Sequence, residues 1–266
     1  MTEKDREKLY TVRWFVREKW NDAAAKAEVL ALLAAVLEPE EKPAPSPERA
    51  VPVPEEEVPG RGAKALWCPF AKTDFPAART RGRYERGYPV GAIVHFTAGR
   101  RSGLKAGMEE QVRNGHTYFV IDAEGNIGQN FPLDSWGSHA GESRWKGLNE
   151  RVSNEVVGIE IQAAGKLERK GAGYETYFHV AVPPGGVRVV PCRTENQEAG
   201  AYEKFTEAQE RALFRLLRWL QGNHPEVFRY EYVLGHDEVS PGRKNDPGGA
   251  LSMTMPELRR RLLEKH

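Results

Sequence analysis

The sequence predicts a mixed α/β fold in which a central β-sheet is flanked by helices. Two short apolar runs, residues 92–97 and 156–163, have the length and composition of buried strands. A third stretch, residues 206–222, begins with a capping-box pair, Thr206 and Gln209, and continues with leucines at helical spacing. Because strand and helix patterns alternate through residues 63–266, a sheet covered by helices is the expected architecture.

The elements follow one another in a regular order along this part of the chain. After the first strand, a helix is predicted at 104–113, and two strands within 116–131 are joined by a tight turn at 124–126. Residues 166–204 form a polar insertion, in which a surface hairpin is predicted around the Pro-Pro-Gly-Gly sequence at 183–186. The helix at 206–222, a short strand at 232–234 and a final helix at 255–263 complete the domain.

Residues 1–62 are expected to be an appendage to this domain. Residues 1–38 read as a helical hairpin, whose second helix begins at Asp22, and residues 39–62 as a Pro/Glu-rich linker. Seven prolines between residues 39 and 59 favour an extended, polyproline-like spacer. The hairpin is expected to contact itself, a second copy of the chain or a partner protein.

Composition excludes several classes of function. At 266 residues with 39% hydrophobic content, the chain can bury one core and carry a small second unit. A net charge of +1 gives no global field that would attract nucleic acid. No run approaches the ~18 apolar residues that a membrane helix needs, and the charged N-terminus lacks the apolar segment of a secretory signal. Cys68 and Cys192 are interpreted as small buried residues, with a disulfide between them as the alternative.

Two distant segments carry the residue types of a metal site. His95 interrupts the apolar run VGAIVHFTAG, near the strand end where open α/β sheets place ligands. His236 and Asp246 lie in GHDEVSPGRKNDPG, which is too polar and turn-rich for a core and is therefore expected to face a cleft or water. Two imidazoles and one carboxylate suit zinc, and three protein ligands leave a fourth position for water.

Six short motifs between residues 90 and 249 extend this pattern: IVHFTAG, HTYFVIDAEGNIGQ, SHAG, NEVVGIEI, FTEAQ and GHDEVSPGRKNDPG. In this order they resemble the type 2 family of zinc-dependent N-acetylmuramoyl-L-alanine amidases, which includes phage endolysins, muropeptide-recycling amidases and peptidoglycan recognition proteins. The resemblance implies a mixed α/β domain that binds Zn²⁺ and cleaves the amide bond between the lactyl group of N-acetylmuramic acid and L-alanine. Peptidoglycan or a muropeptide would be the substrate.

Transferred position by position, the resemblance makes His95, His236 and Asp246 the zinc ligands. Lys244 matches the lysine that stabilises the developing oxyanion, and Glu160 matches the glutamate that activates the attacking water. Independently of the family, an unpaired carboxylate within VVGIEIQA would be costly to bury without a function or a partner.

Three further residues are implied to lie on the substrate side of the site: His139, Asn154 and Thr117. For His139 the alternatives are a position on the cleft wall and a purely structural role. For Asn154, a position in a loop or behind the residues that contact substrate is favoured. Thr117 stands where several family members have a tyrosine, which favours Glu160 over a tyrosine as the catalytic base.

Three functions remain open at this stage. A lytic, endolysin-like wall hydrolase is favoured, because a tethered appendage suits an enzyme that acts on polymeric wall and could itself bind that wall. Such an enzyme would be made in the cytoplasm and reach the wall after release or by dedicated export. The alternatives are a cytoplasmic muropeptide-recycling amidase and a non-catalytic peptidoglycan-binding protein.

The proposed appendage leads to a first testable prediction. A truncated chain beginning at Gly60 should fold and cleave soluble muropeptides at the rate of the full chain, because residues 1–59 are not expected to belong to the catalytic core. Activity on intact sacculi should fall if the hairpin binds wall. Parallel assays on both substrates check this, and a truncated chain that is insoluble or inactive on soluble muropeptide would contradict it.

Overall fold

A computed structural model describes residues 65–193 and 197–264 of the chain. The predicted hairpin at 1–38 and linker at 39–62 lie outside the described residues. Within the described residues, the fold is the predicted mixed α/β arrangement, with a central five-stranded sheet, a second five-stranded sheet and a two-stranded ribbon.

The strands, in chain order, are β1 (Gly82–Arg83), β2 (Gly91–Phe96), β3 (Tyr118–Ile121), β4 (Ile127–Gly128), β5 (Ser135–Trp136), β6 (Val156–Ile161), β7 (Lys166–Lys170), β8 (Gly173–Glu175), β9 (Ala181–Val182), β10 (Val187–Val190), β11 (Gly200–Glu203) and β12 (Val233–Gly235). The α-helices are α1 (Leu104–Asn114), α2 (Glu207–Asn223), α3 (His236–Val239) and α4 (Met255–Leu263).

The central sheet has the strand order β12-β2-β6-β3-β4. Its first four strands are parallel, and β4 pairs antiparallel with β3 through the predicted tight turn. Every residue of β2 is buried, as expected for a parallel strand covered on both faces. The register places His95 beside Glu160 and Glu160 beside Val120. These three side chains therefore point to the same face of the sheet.

The opposite face is closed by α2 and α4. Leu213, Leu216, Leu217 and Leu220 of α2 are fully buried in one cluster with Phe119 and Ile159 of the sheet. The predicted capping box is confirmed: the Thr206 hydroxyl accepts from the Gln209 amide, and the Gln209 side chain accepts from the Thr206 amide. This rigid backing positions the strands whose other face carries the site.

Helix α1 covers part of the site face and leaves the rest open. Gly107 makes the close approach possible, because a Cβ there would lie 2.7 Å from the Gln162 side chain and 3.0 Å from that of Val120. The helix ends at Asn114 and is capped by Gly115, which adopts a left-handed conformation with φ 69°. A cavity lined by Gly107 and Glu110 of α1 and by Glu160 of β6 lies on this face.

The prediction of a hairpin around residues 183–186 was wrong. Strand β9 pairs with β8, and β10 pairs with β11, in a sheet of order β10-β11-β7-β8-β9. The two prolines, Pro183 and Pro184, have no backbone N–H to donate to a strand ladder, and Pro184–Gly186 form a 3₁₀ turn between the two strands. Val182 and Val187, on either side of this turn, pack in the same small cluster with Leu167, and Val190 at the end of β10 lies close to Gly249.

The cysteines are free thiols in the described structure. Cys68 is buried, as predicted, and burial raises its pKa to about 12. Cys192 is only partly buried. None of the helices within the described ranges combines the length and apolarity of a membrane-spanning helix.

Candidate metal centre and active site

Three side chains from two distant segments converge on one point. His95 Nδ1 lies 3.0 Å from His236 Nδ1 and 2.9 Å from Asp246 Oδ2. His236 Nδ1 is also 2.9 Å from Asp246 Oδ2. His95 is at the C-terminal end of β2, and His236 is the first residue of α3, directly after the neighbouring strand β12. Pairing of these parallel strands therefore brings the two imidazoles together.

The third ligand candidate, Asp246, lies in the loop at the end of the polar segment 235–248. The Asp237 amide donates to the Asp246 carbonyl at 2.8 Å, which brings the loop back to the start of α3. Burial alone would raise the pKa of Asp246, but the contacts with His236 and His95 outweigh it and hold this pKa below its usual range. The carboxylate is therefore ionised at neutral pH, as a metal ligand must be.

The donor set fits a zinc ion. Burial lowers the pKa of His95 to about 4, so its imidazole is neutral at physiological pH. The His236 Nε2 lies 2.9 Å from the Ala140 carbonyl, which can only accept, so Nδ1 of His236 keeps a free lone pair. Tetrahedral zinc with bonds of about 2.0–2.2 Å would hold its ligand atoms roughly 3.3–3.6 Å apart, a few tenths of an ångström beyond the distances found here.

Glu160 lies beside His95 on the adjacent strand β6. Its Oε2 is buried and has no hydrogen-bond partner among the described residues. Burial raises the pKa of Glu160 well above its usual range, the negative charge of Asp246 raises it further, and the positive charge of Lys244 opposes them. Glu160 as a residue is only partly buried and lines a cavity, and a carboxylate there with one buried, unpartnered oxygen is typical of a group that must exchange a proton.

Lys244 lies two residues before Asp246 on the same loop. Its backbone amide donates to the Ser240 carbonyl at 3.0 Å, and its side chain is partly exposed. It lines a cavity of about 340 Å³ together with Trp145 and Glu198. Its charge reaches both His95 and Glu160, because it lowers the pKa of each.

The model of the family described as N-acetylmuramoyl-L-alanine amidase matches residues 85–249, which include all of these groups. The chain belongs to the N-acetylmuramoyl-L-alanine amidase family. It is 25% identical, over 131 residues, to the 1,6-anhydro-N-acetylmuramyl-L-alanine amidase AmpD of Enterobacter cloacae. The aligned part is 49% of this chain and 49% of AmpD, so the chain spans about half the length of this curated relative.

Solved structures of AmpD and AmpDh3 are also similar to this family member. A crystal structure of an AmpD selenomethionine derivative matches with a TM-score of 0.48 and 21% identity, and it covers 75% of this chain and 98% of that one. AmpDh3 of Pseudomonas aeruginosa, in complex with an anhydromuramic pentapeptide, matches with a TM-score of 0.45 and 18% identity. That alignment covers 72% of this chain and 66% of AmpDh3.

In this member of the amidase family, a cavity of about 150 Å³ opens beside Glu160. The residues that line it include several that were not predicted from the sequence, among them Arg100, Glu110, His116 and Tyr118. Tyr118 directly follows the predicted Thr117 and lies on the Glu160 side of β3, where burial and the charge of Glu160 raise its pKa. The alternation of side chains along β3, counted from Val120, is the sequence signal that identifies Tyr118.

The three residues predicted on the substrate side occupy different positions. Thr117 is buried, and its hydroxyl donates to the Arg79 carbonyl at 2.8 Å, so its placement argues against direct contact with substrate. Asn154 ends a short 3₁₀ turn before β6, and its Oδ1 is buried with no hydrogen-bond partner among the described residues. His139 packs edge-on against His95, with ring centroids 5.4 Å apart.

Proposed function

We propose that the protein hydrolyses the amide bond between the lactyl group of N-acetylmuramic acid and L-alanine, with zinc bound by His95, His236 and Asp246. The observation that supports this most strongly is the convergence of these three ligand atoms beside the carboxylate of Glu160, within residues that match the amidase family. A non-catalytic binding protein would not need a carboxylate with a buried, unpartnered oxygen at this position, since burying such an oxygen is costly.

Zinc, when bound here, would supply a water of lowered pKa and polarise the scissile carbonyl. Glu160 would accept a proton from the attacking water through its free carboxylate oxygen. As the C–N bond breaks, Glu160 would return that proton to the nitrogen of L-alanine, which leaves as an amine. Lys244 would donate to the carbonyl oxygen as negative charge develops on it.

The role of Lys244 gives a second prediction. Lys244→Ala should lower kcat by about 10² to 10³, because one donor to the developing oxyanion is lost. KM and zinc content should change little, since the proposed contact forms mainly in the transition state. Steady-state kinetics on a soluble muropeptide, with zinc measured by atomic absorption, test this.

Lys105→Ala is the matched control, because Lys105 is an exposed residue of α1 that makes only a long ion pair with Glu109. That variant should keep wild-type kinetics. An increase in KM with unchanged kcat in Lys244→Ala would instead assign Lys244 to substrate binding.

We also propose a lytic role on polymeric wall, with residues 1–62 as a tethered appendage. AmpD, the curated relative, is named as an amidase of 1,6-anhydro-muramyl peptides, so recycling of soluble fragments is the competing setting. Assays of one preparation on soluble anhydromuropeptides and on intact sacculi separate the two. Turnover restricted to soluble fragments would favour recycling, and tight binding of zinc-loaded protein without any turnover would favour a binding protein.

A further inference from the structure

The segment Ser138–Gly141, here called the SHAG loop, contacts both histidines of the proposed zinc site at Nε2, the ring nitrogen that faces away from the proposed metal position. The carbonyl oxygen of Ala140 lies 2.9 Å from His236 Nε2. The Nδ1 atom of His139 lies 3.2 Å from His95 Nε2. Two adjacent residues of one loop therefore meet the distal nitrogens of the two imidazoles whose Nδ1 atoms face each other.

His139 is itself fixed at its other nitrogen. Its Nε2 lies 3.0 Å from the carbonyl of Val156, the first residue of β6. A carbonyl oxygen can only accept, so His139 Nε2 must carry the hydrogen. In the neutral ring, Nδ1 of His139 is then an acceptor, and it can only accept a hydrogen from His95 Nε2. This assignment leaves the lone pair of His95 on Nδ1, the atom that faces His236 and Asp246.

The surroundings show that the ring position of His139 is built into the fold. Gly158 of β6 provides the space, because a Cβ there would lie 2.8 Å from His139 Cγ. The Ser153 hydroxyl accepts from the backbone amides of His139 and Ala140, at 3.4 and 3.1 Å. The loop is thus anchored at two successive amides directly beside the ring.

We propose that His139 is a positioning residue that fixes the tautomer and orientation of His95 and so sets the zinc affinity of the site. The chain of contacts runs from the Val156 carbonyl through His139 to His95. The Ala140 carbonyl fixes the tautomer of His236 in the same way, by accepting the hydrogen on its Nε2. With both ring nitrogens engaged, His139 has no remaining polar atom for substrate. The inference rests on the proposed zinc site, but its test measures zinc binding and proton position and not hydrolysis.

Two variants of nearly the same shape isolate the hydrogen bond. His139→Asn keeps an oxygen acceptor about where Nδ1 now lies, whereas His139→Leu replaces it with a methyl group. Loss of a partner behind a metal-bound histidine typically weakens metal affinity by about 10–100-fold. We expect that loss in His139→Leu and an affinity much closer to wild type in His139→Asn, measured by competition with a chromogenic zinc chelator.

His179→Asn is the control for loss of a histidine, because His179 is exposed on the insertion and Asn tolerates its positive φ of 61°. The thermal unfolding midpoint of each metal-free variant is measured in parallel. A merely structural role would lower this midpoint in both His139 variants and leave their zinc affinities equal. Equal affinities would overturn the proposal.

The wild-type chain provides a second test that does not depend on any variant folding. ¹⁵N NMR of the histidine rings, with zinc and without it, shows which nitrogen carries the hydrogen. The proposal requires His139 to be protonated at Nε2 and not at Nδ1, with His95 protonated at Nε2 when zinc is bound. A hydrogen on His139 Nδ1 would overturn it. Failure of the chain to bind zinc or to hydrolyse muropeptide would instead contradict the proposed function, and the metal-free spectrum would still report the state of His139.

Discussion

His95→Ala is expected to abolish hydrolysis and to remove most of the bound zinc. His95 is 1% exposed and supplies one of three converging ligand atoms, so its loss leaves an imidazole and a carboxylate that cannot complete a tetrahedral site. Because the ligands come from segments 141 residues apart, we also expect zinc to raise the unfolding temperature of the wild-type chain. Zinc content, muropeptide turnover and thermal unfolding measure the three effects.

Wild-type protein should contain about one zinc per chain, and thorough chelation should remove activity that added zinc restores. The His179→Asn variant should behave as wild type in all three measurements. Full turnover by a thoroughly chelated, metal-free sample would contradict the metalloenzyme mechanism, whatever the result for His95→Ala.

Elements with a strong local pattern were predictable from the sequence. The leucines of α2 recur at helical spacing behind a capping box, and β2 is an apolar run interrupted only by His95, so local patterns predict both. The sheet of the insertion was not predictable in the same way. Its strands are two to five residues long and contain few buried residues, and their pairing depends on contacts with residues distant in sequence, such as that of Val190 near Gly249.

The same distinction applies to the site. The sequence predicted His95, His236 and Asp246 as a set, because metal ligands are recognisable by residue type, and the structure brings them together. It did not predict the engagement of both His139 nitrogens or the contribution of Tyr118 and His116 to the cavity. These depend on how the SHAG loop and the end of α1 pack on the sheet, which no local pattern encodes.

The polar segment 235–248 is more buried than its polarity alone predicts. It was expected to face a cleft or water, yet Asp237 and Ser240 are also buried. The Ser240 hydroxyl donates to the Glu142 carbonyl, so a hydrogen bond to backbone makes this burial possible. Polar segments can be buried when the surrounding loops supply partners, and those partners lie about 100 residues away in the chain.

Glu160→Gln is expected to lower kcat by about 10² to 10⁴ while leaving zinc content and KM nearly unchanged. The amide keeps the shape of the side chain on a rigid strand but cannot accept and return a proton. Glu160 is proposed to act on the water and not to bind the metal, so the site should still load. Single-turnover and steady-state kinetics on a soluble muropeptide measure the effect, and Glu168→Gln, an exposed residue of β7, is the matched control.

The same variant should be at least as stable as wild type when metal is absent. Burial raises the pKa of Glu160 in the folded state, so the folded chain holds this proton more tightly than the unfolded chain does. The free energy of unfolding therefore falls as pH rises from the unfolded-state pKa of Glu160 toward its folded-state pKa. Glutamine removes that loss of stability, so the metal-free unfolding midpoint at neutral pH should rise or stay constant while turnover falls.

Loss of turnover together with a lower midpoint would indicate a damaged fold. Wild-type turnover in Glu160→Gln would exclude Glu160 as the base. A large loss of turnover with stability retained is the combination that a proton-transfer role predicts and that a structural role does not.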